Sequence, residues 1–242
     1  MLDTIRIAMW SGPRNISTAM MRAWGSRADC AVMDEPFYGA YLSSTGLDHP
    51  MAAEIIAAHD TDWRSIAKTC AETAAAPIVY QKHMSQHMVP DAPLDWMNGV
   101  RHAFLIRPPA EVAASFKIKW QEMTAEDLGF TRQAELFDRV ADRLGGAPPV
   151  AEARDVLSDP EGMLKKLCAA LDVPFDPAML SWQPGLHESD GIWARHWYGA
   201  VEGSTGFAPP SPPQQPAEEL MPVVEACMPA YDRLQAHKLQ VG

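Results

Sequence analysis

Cysteine is scarce in this chain. Its four residues, Cys30, Cys70, Cys168 and Cys227, are scattered and form no C-x-x-C pair. That spacing argues against a zinc cluster and for reduced thiols in a cytosolic setting. Long apolar runs are missing as well, so no segment approaches membrane-spanning length. The first residues lack the basic segment, apolar core and small-residue cleavage site of a secretory signal, and the expected location is cytoplasmic. Positive charge is in deficit: 20 Lys and Arg against 31 Asp and Glu give a net charge of −11. A general nucleic-acid binder draws its affinity from neutralised phosphates, so neither nucleic acid nor a membrane is an expected partner. The acidic excess serves solubility, and a small anionic ligand would need a local gathering of Arg and Lys. No internal repeat is visible. The 242 residues suffice for one large α/β domain with a substantial core. A single domain over 1–242 is expected, with a Pro-rich segment at 208–216 and a helical tail.

What is present begins at Ile5–Gly25, IRIAMWSGPRNISTAMMRAWG. Ile5 to Trp10 is a short apolar run that fits a buried strand, and Ser11-Gly12-Pro13 interrupts it. Ile16, Ala19, Met20, Ala23 and Trp24 then follow at helical spacing between Asn15 and Trp24. A strand, a tight turn and a helix in this order form a phosphate-cradling arrangement. The first helical turn leaves N–H groups without intrahelical acceptors, and the helix dipole places partial positive charge there. Arg14 adds a full charge, while Ser17 and Thr18 add hydroxyls. Pro13, Arg14, Asn15, Ile16, Ser17 and Thr18 are therefore candidate anion-binding residues. The plain alternative is a turn with a helix cap. The Walker A pattern G-x-x-x-x-G-K-[ST] is not met, because no Lys follows.

Three later junctions carry chemistry. Cys30 to Met33 reads as a strand ending in Asp34-Glu35, an acidic pair reminiscent of a Walker B box. If that strand is parallel to the first, the pair opens on the edge where ligands of α/β sheets bind, which makes Glu35 a candidate general base. Pro77 to Gln81 is the next strand, followed by Lys82, His83 and His87. The two histidines would share a helical face at a spacing of four. The H-E-x-x-H glutamate is missing and no third ligand is evident, so no metal is expected. A cation facing the anion turn is the better use of Lys82. Val100 to Ile106 is the fourth strand, leading into Arg107 and a helix from Ala110 to Trp120 that carries Ser115. Arg107 offers a planar fork suited to phosphate.

The remaining elements are structural. Phe37 to Leu47 reads as a loop, 49–58 and 63–75 as helices, Thr61 or Asp62 as a cap. Thr131 to Leu144 is a helix closed by Gly145-Gly146. Pro149 to Ala153 is a last strand, and Asp159-Pro160-Glu161 opens an amphipathic helix. Trp182 to Phe207 has no clear period and reads as a functional loop, with Arg195 and His196 available to a ligand. Pro222 and Pro229 should kink or split the tail helix over 217–239.

Taken together, these segments resemble the sulfotransferases that use 3′-phosphoadenosine 5′-phosphosulfate. SGPRNIST is similar to their 5′-phosphosulfate loop. FLIRPPAEVAASF resembles their 3′-phosphate segment, an Arg with a Ser eight residues later, here Arg107 and Ser115. ARDVLSDPEGMLKKLCAALDVPF is similar to their late segment. The resemblance implies a three-layer α/β sandwich with a mainly parallel sheet, of the P-loop nucleoside-triphosphate-hydrolase type. It implies transfer of a sulfuryl group to a hydroxyl or amine of a small-molecule acceptor, with no metal. Arg14 and Lys82 would stabilise charge; Glu35, His83 or His87 would take the acceptor proton. The usual loop glycine is Ile16 here, which is expected in ordinary helical backbone space. The family's late basic patch is missing, and Arg195 is expected to substitute. Two other functions compete: a Mg-dependent kinase or hydrolase using Asp34-Glu35, and a nucleotide-binding module without catalysis.

Overall fold

The computed structural model describes residues 4–118, 123–213 and 216–240. Five strands form one sheet in the order β2-β3-β1-β4-β5, where β1 is Ile5–Ser11, β2 Cys30–Asp34, β3 Ile78–Met84, β4 Arg101–Ile106 and β5 Val150–Glu152. Every pairing is parallel. Helices cover both faces, giving three layers. Alternation along β1 assigns its side chains: Ala8 and Trp10 join one core with Phe104, Ile106 and the helices Phe130–Leu144 and Met221–Gln235. Ile7 and Met9 join the other, with Met20, Trp24, Leu105 and Leu164. Strands buried on both sides read as continuous apolar runs, which is why these were visible in the sequence. The α/β class and the parallel sheet expected from the sequence are as observed.

Several boundaries moved for identifiable reasons. The segment read as a loop at 37–47 is a helix, Tyr38–Thr45, because Tyr38 and Leu42, one turn apart, bury one side of it and Ala40 packs on the other. The strand read to Gln81 runs on to Met84, so Lys82 and His83 lie within it and point to opposite faces. His83 and His87 therefore share no helix; His87 lies in a short 3-10 turn, Ser85–His87. The helix expected to reach Trp120 is described as Pro109–Lys117, and Trp120 lies outside the described residues. A short helix, Ala125–Leu128, opened by a Thr124–Asp127 capping box, was not read from the sequence. Asp62 caps Trp63–Glu72 by accepting from the N–H groups of Arg64 and Ser65, an interaction of about 1 kcal/mol.

The tail does not split. Met221–Gln235 is one helix, with Pro222 in its first turn and Pro229 inside. Proline is tolerated at a helix start. Pro229 and Glu225 are exposed, so the carbonyl left without a donor faces water. Residues 208–213 of the Pro-rich segment have no regular structure, and residues 214 and 215 lie outside the described residues. Among the described residues, no helix is long and apolar enough to cross a membrane.

Candidate active site

Because all five strands run the same way, their C-terminal ends form one rim. Ser11, Asp34, Met84, Ile106 and Glu152 end there. A cavity of about 260 Å³ opens at this rim. It is lined by Pro13 to Thr18, Glu35, Lys82, His87, Arg107 and Ser115, and walled by Tyr38, Tyr41, Leu47, Trp197 and Tyr198.

The first turn is built for an anion. Arg14 and Ile16 both sit in the left-handed region, at φ 62° and 54°. Ile16 was expected in ordinary helical space and is not. The turn must swing its N–H groups toward one point before the helix Ser17–Gly25 begins, and a left-handed residue does this. In a β-branched side chain that conformation costs about 1–3 kcal/mol. Glycine at 16 would relieve the strain but would lose the packing of the half-buried Ile16 against the core on its side of the sheet. The Ile16→Gly variant is therefore expected to change the unfolding free energy by less than about 1 kcal/mol in chemical denaturation, because strain relief offsets lost burial and added chain entropy. A loss well beyond that would show the strain to be small. Gly12 is fixed by space: a Cβ there would lie 2.6 Å from the Leu128 carbonyl oxygen.

Among the described residues, the N–H groups of Arg14, Asn15 and Ile16 find no protein acceptor. The Asn15 side chain is fully buried, and neither its Oδ1 nor its Nδ2 has a partner. Arg14 has no carboxylate partner among the described residues. Its Nε donates to Ser115 Oγ at 2.9 Å, and the Arg107 Nη1 donates to the Arg14 carbonyl at 3.0 Å. Burial, then the nearby Arg107 charge, pushes the Arg14 guanidinium below its usual range. Unspent donors and an unmatched cation on one turn fit a multi-oxygen anion.

Beside it lies a buried polar cluster. Lys82 Nζ donates to Asp34 Oδ1 at 3.0 Å, to Glu35 Oε1, and to the Tyr198 hydroxyl at 2.5 Å. Tyr198 donates to Asp34 at 2.7 Å and accepts from Trp193 Nε1 at 3.1 Å. Burial opposes the Lys82 charge, but Asp34 and Glu35 together outweigh it and hold the ammonium above its usual range. Burial pushes the Glu35 carboxyl up; Lys82 opposes this and Asp34 adds to it. Glu35 also adopts a left-handed φ of 44°. Three of the five described non-glycine residues with positive φ thus lie on this cavity, where strain is held by the surrounding contacts. His87 stacks between Tyr38 and Tyr41 at 4.4 and 4.8 Å, with Nδ1 3.9 Å from Glu35 Oε2. Burial, then the charges of His49 and Lys82, pushes its pKa well down, so the imidazole is neutral.

A family model described as a sulfotransferase domain matches residues 5–238. The chain belongs to the sulfotransferase family. Transfer of a sulfuryl group is the chemistry of that family. Over 233 residues the chain is 32% identical to branched-chain-amino-acid aminotransferase-like protein 2 of Arabidopsis thaliana and 31% identical to protein 1 of the same kind, covering 96% of this chain in both cases. The matches take in 41% and 42% of those proteins, so this chain spans about two-fifths of the length of the curated relatives it matches. Among solved structures it is similar to a sulfotransferase from Alicyclobacillus acidocaldarius, with a TM-score of 0.57, 12% identity and 98% of each chain covered. It is also similar to the sulfotransferase domain from the curacin biosynthetic pathway, with a TM-score of 0.51, 14% identity, and 94% of this chain and 99% of that one covered. At these identities the likeness is one of fold.

The sulfotransferase fold brings most of the residues read from the sequence to one cavity, but two are elsewhere. His83 points to the opposite face of the sheet, stacked on Trp10 at 4.6 Å and bonded to Gln81 at 3.0 Å. Burial, with the His102 charge adding to it, lowers its pKa to about 3, and it does not line the cavity. Arg195 is exposed and does not line it either. Tyr198 was missed. It comes from the aperiodic stretch, which is anchored from afar: Asp190 pairs with the buried Arg22 at 2.5 and 2.6 Å, and the Gly191 N–H donates to Asp34 at 3.0 Å. Among the described residues, no group of three or more His, Cys, Asp or Glu side chains is placed to hold a metal ion.

Proposed function

We propose that this sulfotransferase takes its sulfuryl group from 3′-phosphoadenosine 5′-phosphosulfate and delivers it to a hydroxyl or amine of a small-molecule acceptor. The observation that carries the reading is the interlock of two oxyanion holders, Arg107 to the Arg14 carbonyl and Arg14 to Ser115. The N–H groups and hydroxyls of Arg14 to Thr18 would hold the 5′-phosphosulfate; Arg107 and Ser115 would hold the 3′-phosphate. When bound, the donor supplies an electrophilic sulfur and a phosphate leaving group. Arg14 and Lys82 face the charge that grows on such oxygens, at the end of the cavity where both line it. Glu35, its carboxyl raised by burial, receives the acceptor proton. Tyr38, Tyr41, Leu47 and Trp197 offer the acceptor an aromatic and apolar wall.

The kinase or hydrolase alternative needs Asp34 and Glu35 for Mg²⁺. Both carboxylates already accept from Lys82 Nζ, so a divalent cation there would have to displace a buried ammonium. The test is Arg107→Ala, titrated with 3′,5′-diphosphoadenosine and with ADP. Affinity for the first should fall about tenfold or more, the loss of a charge-assisted contact, while ADP changes little. Equal losses would remove the 3′-phosphate assignment. A chain that binds the diphosphate tightly but transfers to no acceptor in a broad panel would be a binding module.

A further inference from the structure

We propose that Arg154 is a second guanidinium for the donor's 3′-phosphate, clipped to Arg107 by Glu111. The proposal rests on the donor reading above. Strands β4 and β5 are parallel neighbours in register, with Ile106 paired to Glu152. Arg107 therefore follows β4 one residue past this pair, and Arg154 sits two residues past it, in the first turn of the helix Ala153–Ser158 that follows β5. Glu111 stands between them, one helical turn after Arg107 and one before Ser115. Its Oε2 accepts from Arg107 Nε at 3.0 Å and its Oε1 from Arg154 Nη2 at 2.6 Å. One carboxylate thus holds two guanidinium groups side by side.

The charge does not balance. Arg14, Arg107, Arg154 and Lys238 contribute four positive charges against the three negative charges of Glu111, Glu152 and Asp155, in a chain whose net charge is −11. Burial works against the Glu111 carboxylate, but Arg154 and Arg107 together hold its carboxyl below the usual range, so it stays ionised. The surplus is cationic, the sign that a phosphate monoester, with roughly two negative charges at neutral pH, requires. Donors remain to meet it. Arg107 commits Nε to Glu111 and Nη1 to the Arg14 carbonyl, which leaves Nη2 with no protein acceptor among the described residues. Arg154 commits only Nη2, and its side chain is 31% exposed. Arg195, expected from the sequence to supply a further cation, stays off this cavity. Arg154, in the helix Ala153–Ser158 that follows β5, offers a cation from the neighbouring junction instead, joined through Glu111 to the cavity-lining Arg107 and not itself lining the cavity.

A network with no ligand would do no more than tie the helix Pro109–Lys117 to the helix Ala153–Ser158. The experiment separates the two roles with a pair of nucleotides that differ by one phosphate. Wild type, Arg154→Gln and Arg154→Lys are titrated calorimetrically with 3′,5′-diphosphoadenosine and with 5′-AMP. The Gln variant should lose about tenfold in affinity for the diphosphate, the effect of one charge-assisted hydrogen bond. Its affinity for 5′-AMP should stay within about twofold of wild type, and Lys should recover part of the loss because it restores charge without the fork. A Gln variant that keeps the wild-type preference for the diphosphate overturns the clip alone. Equal losses on both nucleotides also overturn it, since they would mark a structural role. A wild type that binds the two nucleotides equally overturns the donor reading and the clip with it.

Discussion

Lys82→Met is expected to destabilise the protein by about 3–5 kcal/mol at neutral pH, the cost of leaving buried carboxylates without their cation, and to abolish transfer. Lys82, Asp34 and Glu35 are all buried, so solvent screening does little to soften the loss. The pH dependence identifies the cause. The Glu35 carboxyl is already raised by burial while Lys82 holds it down. With Met at 82 that restraint is gone and the carboxyl rises further. A carboxyl whose folded pKa lies above its unfolded value binds more protons in the folded state across the window between the two. Unfolding free energy therefore falls as pH rises through that window. The window opens near the ordinary Glu value of about 4.3 and closes at the raised folded value. Urea denaturation of both proteins from pH 5 to pH 8 should show the gap between them widening with pH. A gap of constant size would mean that Lys82 contributes packing and not charge.

What could be read from the chain follows from which interactions are local. The strands Ile5–Ser11 and Arg101–Ile106 were legible because burial on both faces makes them continuous apolar runs bounded by Gly and Pro. The turn at 12–16 and Arg107 were legible because each directly follows such a run. The end of β3 was not, because Lys82 and His83 are polar residues buried by the rest of the fold and look like the start of a turn. A period-of-two reading carried past Gln81 would have put the two on opposite faces and removed His83 from the site. Ile16 misled through its side chain: β-branched residues avoid left-handed space, and here tertiary contacts force it there. Tyr198 could not have been found locally. Its place depends on Arg22 reaching Asp190, 168 residues along the chain, and no periodicity in 182–207 encodes that pairing. Arg154 was seen only as part of a resemblance, because its partner Glu111 comes from a different strand-helix unit.

Glu35→Gln should lower kcat by about 10²–10⁴-fold, the range for loss of a positioned proton acceptor, with affinity for 3′,5′-diphosphoadenosine unchanged. The amide keeps the size of the carboxyl and can still accept from Lys82 Nζ, so the cluster is not left with an empty position. What it cannot do is take a proton. The pH profile separates Glu35 from its neighbour His87. Transfer needs the Glu35 carboxylate, so in wild type kcat should fall on the acid side at a pH above the ordinary Glu range, because burial raises that group. His87 is neutral over the same range, since burial and the adjacent charges push it well below 6.5, and its own titration would place the limb far lower. The Gln variant should lose the raised limb altogether. Turnover that survives in Glu35→Gln with the limb intact would pass the role to another group. His87, 3.9 Å from that carboxylate and with its Nδ1 unpartnered, is the side chain to which it would pass.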